Sequence, residues 1–140
     1  MAYAQWIQAN LNPSNFANSL HIGNAQLSWG KFYSGSKSTS VSAGTIDKTV
    51  VANNASGSVF SCGRESASAG TVGSFDVFDG KAQTNNSNRV CTFSWSCPWG
   101  SPTNTWGISN KNHAYMTSTS GGSTNGGAIG MVKIDLYRKA

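Results

Sequence analysis

Charge is scarce in this sequence. Asp, Glu, Lys and Arg make up 11% of its 140 residues, against roughly a quarter in an ordinary soluble domain. Five are carboxylates, and there are two histidines. General acid–base catalysis needs such groups brought together, so the chain holds little material for it. Asp76 and Asp79, three residues apart, are the one close acidic pair, and Asp79-Gly80 reads as a turn. Serine is abundant, yet no nucleophile elbow surrounds any serine. Gly70-Thr71-Val72-Gly73-Ser74 is only faintly like a phosphate-binding loop, because the following helix and lysine are missing. These shortages argue against an enzyme.

Long apolar runs are absent as well. No stretch approaches the ~20 residues of a membrane-spanning helix. Met1-Ala2-Tyr3-Ala4-Gln5-Trp6-Ile7 has neither a basic nor an apolar leader region, so no secretory signal is expected. The expectation is a soluble protein, cytoplasmic or secreted by a non-standard route, that meets any membrane from outside. Three cysteines, Cys62, Cys91 and Cys97, leave at least one thiol unpaired. Cys91 and Cys97 are six apart, and neither His21 nor His113 stands at a usual ligand spacing. No metal or other cofactor is expected. Small buried core residues are the favoured reading of the cysteines, with a disulfide as the alternative.

What is present is serine, asparagine, threonine, glycine and an 11% aromatic share, with a formal charge of +5. Aromatic content and regular apolar spacing point to a packed fold, not disorder. Strand-like alternation marks Ala2–Gln8, Ser19–Trp29 with a Gly23-Asn24 kink, Lys48–Ala52, Gly57–Cys62, Gly73–Phe78, Arg89–Ser96, Trp106–Ser109, Ala114–Thr119 and Ala128–Tyr137. Asp79-Gly80, Asn85 to Asn88, Gly121-Gly122 and Asn125-Gly126-Gly127 separate them as turns. Many short strands with polar connections predict an all-β sandwich or small barrel. Ser34 to Ser42 reads as a mobile loop, because the 33 residues before it are too few to fold alone. Residues 1–140 are therefore expected to form one domain.

Five tryptophans are the most informative residues: Trp6, Trp29, Trp95, Trp99 and Trp106. Trp95 shares one alternating face with Cys91 and Phe93 and reads as core. Trp99 differs, because Pro98, Gly100 and Pro102 break any strand around it and place it on a loop. An indole there suits either a membrane–water boundary or a ligand contact, including cation–π capture of a quaternary ammonium.

At these residues the chain resembles the aegerolysin family. The resemblance is carried by Ala2-Tyr3-Ala4-Gln5-Trp6, Leu27-Ser28-Trp29-Gly30-Lys31, Cys62-Gly63-Arg64 and Gly70 to Asp76. It continues through Trp95-Ser96-Cys97-Pro98-Trp99-Gly100-Ser101 with Thr103-Asn104, and ends with Gly126 to Gly130. It implies a β-sandwich similar to that of actinoporins and binding to sphingolipid membranes, through sphingomyelin with cholesterol or ceramide phosphoethanolamine. It also implies bilayer contact by Trp6, Trp29 and Trp99 at one end of the sandwich. In some members a larger perforin-type partner completes a pore, with the small protein as the lipid-reading component of a cytolysin. Lys31 and Arg64 are candidates to pair with a lipid phosphate. For Arg64, a solvated position or an internal ion pair to Asp76 is the alternative.

The chain departs from the family pattern near this site. Ser96 replaces an aspartate, Pro102 a lysine, Ala69 a glutamate and Ser94 an aromatic, so Ala69 and Ser94 are lipid-site positions with altered side chains. Cys91 is an additional cysteine. A lectin-like carbohydrate-binding sandwich is the rival reading, given surface tryptophans, Asn-rich loops and few charges. Nucleic acid is not expected as a partner, since the basic residues are scattered and not striped among aromatics.

Overall fold

The computed structural model describes residues 2–65, 67–81, 87–100 and 103–139. Asn85, Asn86, Ser101 and Pro102, which figure in the turn, loop and family readings, lie outside them. After a 3-10 turn at Ala2–Ala4 come β1 (Trp6–Ser14), β2 (Leu20–Trp29), β3 (Lys31–Ser34), β4 (Ser36–Val41), α1 (Ala43–Ile46) and β5 (Val50–Val51). β6 (Gly57–Cys62), β7 (Thr71–Asp79), β8 (Arg89–Cys97), β9 (Thr105–Ser109), β10 (Tyr115–Gly121) and β11 (Gly130–Arg138) complete the chain. They form two sheets, one six-stranded in the order β10-β11-β1-β6-β3-β4, the other five-stranded in the order β5-β2-β7-β8-β9. The pairings are antiparallel except β1 with β11, which run parallel. The protein is a two-sheet β-sandwich.

Alternation builds it. In β1, Ile7, Ala9 and Leu11 are buried while Trp6, Gln8 and Asn10 face outward, and β11 buries Val132, Ile134 and Leu136 by the same period. Between the sheets, Phe75, Phe93 and Trp95 form a ring cluster with centroids 5.6–6.0 Å apart. Trp95 is core, as its place on the same strand face as Cys91 and Phe93 requires, and its indole N–H donates to Thr71 Oγ1 at 3.0 Å. All three cysteines are buried free thiols.

Three segments differ from their sequence expectation. The first strand starts at Trp6, not Ala2, and continues past Gln8 to Ser14. The Ser34–Ser42 segment is no loop. Gly35, at φ +78°, turns β3 into β4, which closes the edge of the six-stranded sheet. Its serines and threonines stay exposed, so no apolar alternation betrays it. The short helix α1 was also not signalled. It rests on a cap, with Thr45 N donating to Ser42 Oγ at 3.2 Å. The Gly23-Asn24 kink is a bulge, with Asn24 at φ +54° and a register shift against β7. Gly70-Thr71-Val72-Gly73-Ser74 leads into and forms β7, not a helix.

Candidate functional site

One end of the sandwich collects most of the candidate residues, and strand register is the cause. Cys62 pairs with both Trp6 and Lys31, so three adjacent strands end in the row Trp6–Cys62–Lys31. Across the gap, Trp29 pairs with Val72 and Thr71 pairs with Cys97 at the same end of the five-stranded sheet. The chain changes sheets at Gly30. Its φ is +93°, and a Cβ there would lie 2.6 Å from the Cys62 carbonyl oxygen, so only glycine makes this crossing. Trp29 and Lys31 consequently stand on either side of the inter-sheet gap.

An open cleft of about 920 Å³ occupies that gap, with Tyr3, Trp29, Lys31, Arg64, Glu65 and Ala69 in its walls. Trp29 is 59% exposed. The Lys31 ammonium donates to Tyr3 Oη at 3.0 Å and sits 4.7 Å from that ring's centre. Arg64 is exposed, with Nε donating to Gly30 O at 3.4 Å. It makes no pair with Asp76. That carboxylate lies farther along the five-stranded sheet with Arg89 at 3.7 Å, Asn24 and Thr92. The internal-pair alternative for Arg64 is thereby corrected, because the β6–β7 connection leaves Arg64 at the open end while Asp76 lies five residues into β7.

The other candidates surround the cleft at different removes. Trp99 is 40% exposed, on the turn that follows Cys97, with Gly100 at φ +77°. Trp6 is half-buried beneath the Lys37 ammonium, 5.2 Å from its ring centre. Ser94 stands apart. It pairs with Ser74 and Gly107 in the middle of the five-stranded sheet, and its altered polarity belongs to that face, not to the cleft.

Sequence reasoning singles out neither Lys37 nor Tyr3 for a role at this end. Lys37 sits on β4, which reads from sequence as a loop, and Tyr3 stands in the 3-10 turn and not in a strand. Together they strap the N-terminal turn down, with Lys37 Nζ donating to the Tyr3 carbonyl at 2.8 Å. Beneath them lies the Cys62 thiol, whose pKa burial pushes up while Lys31 and Lys37 draw it down. Tyr33 is pushed up to about 12 by burial and then by Cys62. The arrangement offers two cations beside an open cleft and two exposed indoles. Asp76 and Asp79, the one acidic pair, belong to hydrogen-bonded networks elsewhere.

Comparison with known proteins bears on family and fold. A family model described as aegerolysin matches residues 4–139. The chain is 37% identical to Asp-hemolysin of Aspergillus fumigatus over 139 residues, covering 99% of this chain and 96% of that protein. It is 36% identical to ostreolysin A6 of Pleurotus ostreatus, covering 99% of each. Among solved structures, the RahU protein in complex with a TRIS molecule superposes with a TM-score of 0.89 at 38% identity, covering 99% of this chain and 98% of that one.

Proposed function

The chain belongs to the aegerolysin family, and from that premise we propose that it is a non-enzymatic reader of membrane lipid that docks by its tryptophan-bearing end. The observation that carries this reading is the pair of exposed indoles, Trp29 and Trp99, at the one end that also holds Lys31 and Arg64 beside an open cleft. An indole gains by leaving water for the interfacial zone of a bilayer while its N–H keeps a polar partner. Two adjacent cations add attraction to a lipid phosphate and supply charge-assisted donors for it. The lipid class in this reading is a sphingolipid, either sphingomyelin with cholesterol or ceramide phosphoethanolamine. In this reading the chain adsorbs to the bilayer, and pore formation falls to a larger perforin-type protein. The names Asp-hemolysin and ostreolysin, attached to relatives of full-length similarity, support a membrane-directed role.

Sedimentation with liposomes tests this. Folded protein is expected to bind vesicles of sphingomyelin plus cholesterol, or vesicles containing ceramide phosphoethanolamine, and to ignore phosphatidylcholine alone. Failure on both sphingolipid vesicles defeats the reading. Clear glycan-array hits without lipid dependence would replace it with the lectin-like alternative.

A further inference from the structure

Trp99 sits on a turn, and a turn positions an aromatic ring only if its ends are fixed. Here both ends converge on one backbone carbonyl. At the entry, the Cys97 thiol donates to Gly127 O at 3.2 Å. At the exit, the Asn104 side-chain amide donates to the same Gly127 O at 3.1 Å. Asn104 is completely buried, and its Nδ2 also meets Ser123 O at 3.1 Å and Asn125 O at 2.5 Å. Two amide hydrogens thus serve three carbonyl oxygens, a cage that only a donor can fill. The backbone adds a further tie, with Asn104 N donating to Thr124 O at 2.8 Å.

The partner loop between β10 and β11 is itself closed. Ser123 N donates to Ile129 O at 2.8 Å, and a Cβ on Gly122 would come within 2.7 Å of the Trp106 ring, so that ring packs on the loop's base. Cys97 is held from the opposite side as well, because Gly70 packs so closely on its carbonyl that no Cβ fits. The Cys97 end that leads into Trp99 is therefore held from two sides, by the Gly127 carbonyl that it shares with Asn104 and by Gly70. A buried amide with three ordered acceptors fixes the groups around it, and the exposed aromatic two residues beyond the tied Cys97 is Trp99.

We propose that Asn104, assisted by Cys97, is the positioning residue for Trp99, holding the indole at the pitch at which the sandwich end meets lipid. The inference rests on the lipid-reading role above and adds a buried polar residue to a surface otherwise described by exposed side chains. Asn104 touches no ligand in this scheme. Its contribution passes through Trp99.

A double-mutant cycle separates positioning from general support. Wild type, N104A, W99A and the double variant are compared by co-sedimentation with vesicles of the sphingolipid composition that the wild type binds. N104A is expected to weaken partitioning about fivefold in the wild-type background and less than about twofold when Trp99 is already alanine, because the group it positions is gone. An equal loss in both backgrounds, or none in either, overturns the proposal. If N104A melts below the assay temperature, C97A, which removes the thiol donor to Gly127, takes its place with the same expected pattern. Wild type failing on every sphingolipid vesicle removes the lipid reading and this role with it. Wild-type binding with an additive cycle removes only the role of Asn104.

Discussion

The two ends of the sandwich are closed by different chemistry. At the end opposite the tryptophans, the Asp79 carboxylate receives Ala17 N at 3.0 Å, Asn18 N at 2.8 Å and the Tyr115 hydroxyl at 2.6 Å. Phe16 meets the Tyr115 ring edge-on at 5.2 Å, and Asn53 exchanges hydrogen bonds with the Phe16 backbone in both directions. Phe16 and Phe78 are buried there, while Tyr137 lies on the surface. The tryptophan end instead leaves Trp29 and Trp99 to solvent and keeps Lys31 and Arg64 beside an open cleft. At one pole the Asp79 network ties distant segments together, and at the other two indoles and two cations border an open cleft. If the proposed lipid-reading role holds, stability and recognition fall to opposite ends, and substitutions at each should have separable effects.

The largest separation comes from Asp79. Asp79→Ala removes the acceptor of two backbone N–H groups and a part-buried hydroxyl, for an expected loss of about 2–3 kcal/mol in unfolding free energy. Thermal or urea denaturation measures it. Liposome binding by the fraction that remains folded should be unchanged, since Asp79 is at the far end of the strands. Loss of binding by folded D79A protein would break the division between the poles.

The mirror image is next in size. Trp29→Ala and Trp99→Ala should each weaken vesicle partitioning about tenfold, from the lost burial of one indole, while shifting stability by less than about 0.5 kcal/mol. Trp29, the more exposed ring, should show the larger loss on the bilayer and the smaller change in melting temperature. Trp6 gives the internal control. Its ring is half-buried under Lys37, so Trp6→Ala should cost stability as well as affinity.

The sequence disclosed these poles unequally. Period-two alternation announced Gly57–Cys62 to the residue, and the core face of β11 follows Val132, Ile134 and Leu136 as read. What alternation missed was polar or local. β4 pairs through its backbone while its serines and threonines face solvent, and α1 is too short for helical periodicity to register. At the site, loop-breaking Pro98 and Gly100 were enough to expose Trp99, and motif order singled out Trp29, Lys31 and Arg64. No linear pattern could show that Gly30 joins the two sheets there, or that Tyr3 occupies the Lys31 ammonium. Nor could it show that Asp79, legible as a turn, is a hub for three donors from two distant segments. Those facts come from register between strands far apart in sequence.

A smaller effect sharpens the electrostatic half of the contrast. Lys31→Ala and Arg64→Ala should each lower affinity for phosphate-bearing vesicles by about 1 kcal/mol, or roughly fivefold, at low ionic strength. The loss should shrink as salt rises and the Debye length falls to about 8 Å near 0.15 M. Arg64 is exposed and held by one long bond, so its loss should leave stability intact. Lys31 also anchors the Tyr3 ring, so Lys31→Ala should loosen the N-terminal turn. Salt-independent binding by both variants would assign recognition to the indoles alone.

The smallest expected effect is an alkaline one, and it distinguishes the ends by their tyrosines. Tyr33, on the outer face near the cleft and tilted against Phe60 at 5.4 Å, has its pKa pushed up to about 12 by burial and by Cys62. Tyr115, at the closed end, is also raised, by burial first and then by its hydrogen bond to Asp79. A tyrosine ionises near 10 once unfolded. Below that value both states hold the proton, and the contribution to stability is complete. Between about 10 and 12 the unfolded chain releases the proton from Tyr33 and the folded chain keeps it, so stability falls as pH rises. Above about 12 both forms ionise and Tyr33 adds no further slope. Buried Cys91, raised from 9.0 to about 12, starts the decline earlier by the same sign. Tyr33→Phe should therefore flatten the fall in urea midpoint between pH 10 and 12 and leave the decline below pH 10 to the thiols. Tyr115→Phe should flatten the same limb but also lower stability at neutral pH, because it deletes a donor to Asp79. If the two variants give the same neutral-pH stability, the Asp79 network is not what closes the far end.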